Sequence, residues 1–191
     1  KRIVLLGKSG IISSNLQKHL KKKRINFIAL GRSSIDLRNK ESFKILKKKI
    51  KPGDVVIFIS AKAPVKTFEM FIENLKICEV VCDGLKNKKI SQLIYISSDA
   101  VYSDTKNKIF ENSECLPDSL HGQMHLLREK ILIHKFKKIL CILRPTLIFG
   151  VGDTHNGYGP NRFVNLAIKN KNINIFGHGE ERRDHIFIED V

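Results

Sequence analysis

The stretch Arg2–Ser13, RIVLLGKSGIIS, decides the reading of the fold. An unbroken apolar run, Ile3 to Leu6, is what a strand buried on both faces requires. Gly7 stops the run, and the period then changes: Ile11, Ile12, Leu16 and Leu20 recur at helical spacing through residues 10–22. Gly7 permits a tight turn and Gly10 leaves the backbone open to close approach. The N–H groups of Ser9, Ile11 and Ile12 lie around the helix N-terminus, an arrangement that can hold a pyrophosphate. Ser13 stands where a third small residue packs the helix on the sheet. Taken alone, the turn equally fits a strand-to-helix connection that binds nothing. A P-loop is excluded by Arg2, which lies within the strand where the upstream loop glycine belongs.

Outward from this unit the alternation continues. Strands are expected at 26–30 (NFIAL), 54–60 (DVVIFIS), 92–96 (QLIYI) and 139–143 (ILCIL), with helices at 41–50, 67–87 and 119–136. The long helix is expected to turn Phe68, Phe71, Ile72, Leu75, Val80 and Leu85 inward. Strand and helix in strict turn imply an α/β, doubly wound parallel sheet of Rossmann type, joined by right-handed crossovers with helices on both faces. Such a sheet binds its ligand at the carboxyl ends of its strands, near the switch point. After residue 150 the pattern changes to a Gly-rich stretch at 150–159, a helix near 161–170, and strands at 173–176 and 184–188. The chain thus divides into a dinucleotide-binding domain, 1–150, and the start of a smaller substrate region, 151–191. Beginning at Lys1 and stopping at Val191 without a closing element, it reads as a fragment.

The 35 Lys and Arg against 19 Asp and Glu leave a net charge of +16. The Lys clusters 21–23, 47–49, 86–89 and 135–138 fall near expected helix ends, where positive charge complements the dipole and stays solvated. That reading makes nucleic acid an unneeded partner. No apolar run nears the roughly 18 residues that span a bilayer, so no membrane partner is expected. Cys78, Cys82, Cys115 and Cys141 are too few for a disulfide scaffold and read as reduced thiols of a cytoplasmic protein.

At the end of the second strand an NAD site carries an acidic residue for the ribose hydroxyl. The chain has Gly31-Arg32-Ser33-Ser34 there. A guanidinium and two hydroxyls suit an anionic 2′-phosphate better, which favours NADP over NAD. Asp36 and Leu37 are placed to flank the adenine.

Three further segments carry a resemblance. Ile94–Tyr102 (IYISSDAVY), Leu143–Gly150 (LRPTLIFG) and Ile175–Val191 (IFGHGEERRDHIFIEDV) resemble, in order and spacing, motifs of the extended short-chain dehydrogenases/reductases, in their nucleotide-sugar epimerase, dehydratase and reductase branch. Asn74 matches that family's helix Asn. The resemblance covers all 191 residues. It implies an NAD(P)-dependent enzyme on a nucleotide-activated sugar, supplying precursors of surface polysaccharide or glycoconjugate. It further implies that Gly7 and Gly10 hold the pyrophosphate, that Ala61, Ala63, Asn74 and Pro145 border the cofactor, and that Ser98 bonds the reacting oxygen. Asp99 falls where dehydratase-like relatives keep an acid. Phe163 and Ile175 would border the base, and Arg183 would grip the diphosphate; the plain alternative for Arg183 is an ion pair with Asp184 or Glu180. Pairing of two copies through helices 67–87 and 119–136 is also implied.

One departure matters most. Where the family has Tyr-x-x-x-Lys, this chain reads His121-Gly122-Gln123-Met124-His125. A phenol must lose about three pKa units to work near neutrality, and the family Lys helps it do so; an imidazole starts near 6.5 and needs no such help. Nε2 reaches roughly 2 Å less far than a phenolic oxygen, so a water or a shifted substrate is required. His121 therefore reads as the acid/base, with His125 a weak replacement for the Lys on the ribose. Three alternatives stand beside this: a binding protein with impaired catalysis, a structural role for both rings, and Tyr102 as another proton donor. Tyr95, within a strand, reads as core. A metal pair lacks a third ligand, and Gly122 stands where HExxH needs its Glu.

Overall fold

Val4 lies between Ile28 on one side and Val56 on the other, and Leu6 between Leu30 and Phe58, all in parallel register. The first strand is thus central and buried, as its apolar run requires. The computed structural model describes residues 1–105, 107–153, 159–175, 177–180 and 182–191. Its elements in order are β1 (Ile3–Leu6), α1 (Ile11–Lys22), β2 (Phe27–Leu30), α2 (Ser42–Lys49), β3 (Val55–Phe58), α3 (Phe68–Leu85), β4 (Gln92–Ile96), a 3₁₀ turn (Asp99–Val101), α4 (Leu120–Phe136), β5 (Leu140–Leu143), β6 (Leu147–Phe149), α5 (Gly159–Ile168) and β7 (His185–Phe187).

The main sheet runs β2-β1-β3-β4-β5, all parallel. The order reverses between β1 and β3, and their carboxyl ends part there to open a crevice. One sheet face, with Val4, Leu6, Val56, Phe58, Leu93 and Tyr95, packs under Leu46 of α2, Ile77, Cys78 and Val81 of α3, and Leu132 of α4. The other carries Leu5 and Ile57 against Leu16 and Leu20 of α1. Each fully buried side chain of this kind contributes about 1.5–3 kcal/mol. Basic residues close α1, α2 and α4, with Lys21 and Lys22, Lys47 to Lys49, and Lys135 in their last turns. No helix among the described residues is long and apolar enough to cross a membrane.

Two expectations need correction. Residues 173–175 form no strand, and Phe176 lies outside the described residues, as do residues 154–158 of the Gly-rich stretch. The parallel partner of β7 is instead β6, Leu147 facing His185 and Phe149 facing Phe187. The inner face of α3 is also different. Phe68 is 66% exposed and Phe71, Ile72 and Leu75 are half-buried, whereas Ile77, Cys78, Val80, Val81, Cys82 and Leu85 make the core. Burial along α3 starts at Asn74, so its first turns do not reach the main core.

Candidate active site

The crevice begins at the turn after β1. Gly7 has φ +123°, and a Cβ there would stand 3.1 Å from Ser60 Oγ and 3.2 Å from the Ser60 nitrogen. Glycine is required twice over, by conformation and by the close approach of the β3 exit. Ser13, fully buried, donates its hydroxyl to the Gly7 carbonyl at 2.5 Å, which fixes α1 on the turn as expected of a third small residue. Gly10 caps α1 with φ +98°, with no side-chain cap and no acid in the first turn, so the helix's positive end stays unneutralised. Gly7, Ser9, Arg32, Asp36, Leu37 and Ala61 all line the crevice, with Lys8, Ser60 and Lys62. Ile11 and Ile12 lie in the first turn of α1, half-buried. Ala63 is exposed farther along the loop that leaves β3.

On the β2 side Arg32 is exposed and forms no ion pair among the described residues. Asp36 is already engaged: Arg38 grips it in a fork, Nε at 2.9 Å and Nη2 at 2.6 Å. Those bonds pull the Asp36 carboxyl down to about 2, with Arg32 adding to the effect. Arg38 also faces Glu73 at 3.8 Å, and Glu73 takes Lys62 Nζ at 2.7 Å.

Asn74 does not line the crevice; it is fully buried and shapes the loop that does. Its Nδ2 donates to the Lys62 carbonyl at 3.0 Å and its Oδ1 accepts the Lys62 N–H at 3.0 Å. Behind it lies Arg128 of α4, also fully buried. Arg128 donates to the Asn74 carbonyl (Nε, 3.0 Å), to Asn74 Oδ1 (3.1 Å) and to the Ser60 carbonyl (Nη1, 3.0 Å). Sequence reasoning missed Arg128, although it shares a helix face with His121 and His125 at i, i+4, i+7 spacing.

At the β4 exit, Ser98 Oγ donates to Asp99 Oδ1 at 3.1 Å and accepts the Ala100 N–H at 3.1 Å. Burial raises the Asp99 carboxyl above its ordinary range, against the hydrogen bond from Ser98 and the charge of Arg183. Pro145 acts through its carbonyl, which accepts the Asp99 N–H at 3.2 Å. Beneath them Glu129, 1% exposed, accepts from Ser97 Oγ at 2.5 Å and from the Arg144 fork at 3.0 and 2.7 Å. Arg144 also donates to Tyr102 Oη at 2.6 Å, which engages the phenol held in reserve as a proton donor. Gly122 lets α4 seat on this turn, since a Cβ there would fall 1.8 Å from the Ala100 carbonyl oxygen. Ser119 caps the helix by accepting the Gly122 N–H. The first turn of α4, with His121, is thereby pressed against Asp99–Val101.

The two imidazoles differ. His121 is half-buried, and its Nδ1 accepts the Val65 N–H at a long 3.4 Å. A neutral ring so held carries its proton on Nε2. His125 is 4% exposed, with Nδ1 2.7 Å from the hydroxyl of the buried Tyr95. The rings meet edge to face, centroids 4.8 Å apart. Burial and the Arg128 charge lower His121; burial, His121 and Arg128 lower His125 to about 2. Both rings are neutral at physiological pH.

The substrate-side residues stand apart from this cluster. Phe163 of α5 is 39% exposed and Ile175 56%. Arg183 pairs with Asp104 at 2.7 Å, beyond the β4 exit, where the plain alternative named Asp184 or Glu180. Its charge still reaches Asp99.

A glycine turn at a parallel-sheet switch point, with a polar cluster at the next strand's exit, defines a dinucleotide-binding α/β protein of the extended dehydrogenase/reductase type. The chain belongs to the NAD dependent epimerase/dehydratase family, whose model matches residues 3–191. It is 25% identical over 221 residues to a Bacillus subtilis protein described as an uncharacterized UDP-glucose epimerase, YtcB, covering 99% of this chain and 69% of the relative. It is 25% identical over 234 residues to the dTDP-D-glucose 4,6-dehydratase of Dictyostelium discoideum, of which it covers 53%. Among solved structures, UDP-glucose 4-epimerase from Thermotoga maritima with UDP-glucose superimposes at TM-score 0.85 and 19% identity, over all of this chain and 70% of that one. UDP-glucuronic acid 4-epimerase from Bacillus cereus, in complex with UDP-glucuronic acid and NAD, gives 0.80 and 22% over the same shares. At these identities the structural likeness is one of fold.

Proposed function

We propose that the chain is the cofactor-binding part of an NAD(P)-dependent enzyme that oxidises and reduces a nucleotide-activated sugar in the cytoplasm, on the way to surface polysaccharide or glycoconjugate. Residues 1–150 would hold the dinucleotide and 151–191 begin the substrate region. The crevice fits the cofactor: Gly7 leaves open a cradle a Cβ would fill, the α1 end is unneutralised, and Lys8 and Arg32 supply positive charge. Arg32 without an acidic partner, beside an Asp36 already engaged by Arg38, favours NADP over NAD.

A bound nicotinamide would supply hydride exchange at the sugar carbon. The chain's own groups handle the oxygen. His121 and Ser98 bond it, and His121 exchanges its proton. To take a proton on Nε2, the ring gives up the Val65 contact and moves its own proton to Nδ1; at 3.4 Å that contact is weak. Asp99, held toward its neutral form, is a nearby acid. Arg183, now paired with Asp104, would turn to a diphosphate when one is bound. Leu127 and Ile133, exposed on α4, support pairing of two copies through α3 and α4.

The observation that carries the reading is the close seat of α4 on the β4 exit at Gly122, the residue that follows His121. A second reading, binding without turnover, is favoured by the burial of His125, which leaves no lysine-like cation on the crevice surface of α4's first two turns. The full-length protein, given NAD⁺ or NADP⁺ and a panel of UDP- and dTDP-sugars, should change nicotinamide absorbance, and His121→Ala should abolish the change. Tight cofactor binding by calorimetry, with no absorbance change on any sugar, would instead establish the second reading.

A further inference from the structure

The lysine clusters that lie apart in the sequence meet on one edge of the fold. Each follows a helix and precedes a strand, and in a parallel sheet every such junction falls at the amino ends of the strands. Hydrogen bonds along that edge tie in the segments 21–26, 47–54, 86–91 and 134–139. The Ile3 N–H donates to the Asn26 carbonyl (3.0 Å), Arg2 Nη2 to the Lys49 carbonyl (2.7 Å), the Gly53 N–H to the Lys89 carbonyl (2.8 Å) and the Leu93 N–H to the Ile139 carbonyl (2.8 Å). Lys88 Nζ reaches the Ile50 carbonyl at 3.3 Å. The four segments carry 13 Lys and one Arg against a single acid, Asp54, so 13 of the chain's 16 net positive charges sit here. Asp54 is 2% exposed and held by Arg2, while all 14 cations except the half-buried Lys88 are exposed. Among the described residues none of the 14 forms an ion pair, whereas Lys40, Lys44 and Lys62, outside this edge, all do.

Two local explanations fall short of this charge. Basic residues complement a helix dipole, but each helix end carries about half a negative charge, so four helices account for about two of the thirteen. Nor does the charge serve the crevice. Glu73 lines the crevice, and Lys86 lies about 20 Å from it along α3 at a rise of about 1.5 Å per residue. At physiological salt the field of an exposed charge decays over about 8 Å. Like charges gathered on one edge also repel one another, which an anionic partner reverses.

We propose that this edge, opposite the crevice, is a docking surface for an anionic lipid leaflet, held by charge. Its shape favours a surface over a strand. The cluster after α1 lies on one side of the sheet and those after α2, α3 and α4 on the other, so the charge covers an area and not a stripe. The outer strands β2 and β5 stand about 19 Å apart at about 4.8 Å per strand. Composition favours it too. Lysine is a hydrated point charge on a flexible stem, which suits a field of headgroups, whereas nucleic acid is gripped by Arg forks and stacked on aromatic platforms. Here Lys outnumbers Arg 13 to one, and the sole aromatic of the four segments, Phe136, is half-buried. Ile25, 39% exposed, is the one large apolar side chain they expose, so the attachment is electrostatic and reversed by salt. The expectation of no membrane partner rests on the lack of a spanning run, and a leaflet held by charge needs none. The inference goes beyond the proposed activity and does not depend on it.

Co-sedimentation of the full-length protein with vesicles tests this. At about 0.1 M salt the protein should bind vesicles of phosphatidylcholine containing anionic phosphatidylglycerol and not vesicles of phosphatidylcholine alone, and about 0.5 M salt should release it. Each lysine near such a leaflet is worth about fivefold in partitioning. The variant Lys21→Gln/Lys22→Gln/Lys47→Gln/Lys48→Gln/Lys137→Gln/Lys138→Gln should therefore bind about 100-fold more weakly or worse, since the loss of three such contacts already suffices. A control of equal net charge, Lys44→Gln/Lys66→Gln/Lys76→Gln/Lys108→Gln/Lys130→Gln/Lys169→Gln, removes exposed lysines elsewhere and should bind nearly as the wild type does. No binding to the anionic vesicles, equal binding to the neutral ones, equal losses in the two variants, or a DNA duplex preferred over the anionic vesicles at the same salt would each overturn the proposal. If the edge variant does not fold, the lipid, salt and DNA comparisons on the wild type decide it. Because none of these readings needs a cofactor or a sugar, their failure is separable from failure of the absorbance assay.

Discussion

Replacing Gly122 by alanine sets two effects of opposite sign against each other. Gly122 sits in the first turn of α4, where alanine gains about 1 kcal/mol of helix propensity. The new Cβ would also fall 1.8 Å from the Ala100 carbonyl oxygen and 2.7 Å from Pro117 Cβ. An ordinary carbon–oxygen contact is about 3.3 Å, so helix and turn must part by about 1.5 Å. Neither side gives easily, since Ala100 lies in the 3₁₀ turn capped by Ser98 and α4 is held by Glu129 and Arg128. Overpacking of this kind costs about 1–3 kcal/mol, so the net change is a loss of about 0–2 kcal/mol. The site should lose more, because His121 is the adjacent residue and a misplacement of about 1 Å costs on the order of 100-fold in rate. Urea unfolding gives the stability and initial rates give kcat. A Gly122→Ala protein more stable than wild type and fully active would refute the reasoning.

Three further outcomes are expected. Arg144→Met strands the carboxylate of Glu129, 1% exposed, and should cost about 3–5 kcal/mol in urea unfolding, with most of it recovered in the Arg144→Met/Glu129→Leu double variant. Arg32→Ala should weaken NADPH binding by about 10–100-fold in calorimetry and leave NADH unchanged; equal weakening of both would show that Arg32 does not read a 2′-phosphate. His125, held at about 2 in the folded state against about 6.5 unfolded, binds its proton in the unfolded chain first, so stability falls as pH drops below about 6.5. By pH 4.5 the loss from this group is about 2.7 kcal/mol, and His125→Gln should flatten the profile by that amount over the same range.

Elements set by local periodicity were readable from the chain. Every strand of the main sheet and the helices of the first 150 residues lie within about two residues of their expected ends, because each is an apolar run or stripe cut off by Gly, Pro or a charge cluster. Features that depend on a partner were not. Three residues, Leu147–Phe149, look like loop until β7 is placed beside them, and residues 173–175 look like strand until no partner appears. The face of α3 was misassigned because its largest apolar residues, Phe68 and Phe71, precede the stretch that meets the core. Of the site, the Gly7 turn and the Ser98-Asp99 pair were readable. The Asp36–Arg38 fork could have been found from its two-residue spacing. Three features required folded coordinates: the burial of His125 on Tyr95, 30 residues away, the grip of Arg128 on Ser60, 68 away, and the reach of Arg183 to Asp104, 79 away.

The measurement that bears most directly on all of this is a crystal structure of the full-length protein with NADPH soaked in. The dinucleotide should lie in the Gly7 crevice, its phosphates at the α1 N-terminus and its nicotinamide ring beside His121. An empty crevice, or a nicotinamide ring remote from residue 121, would contradict the account.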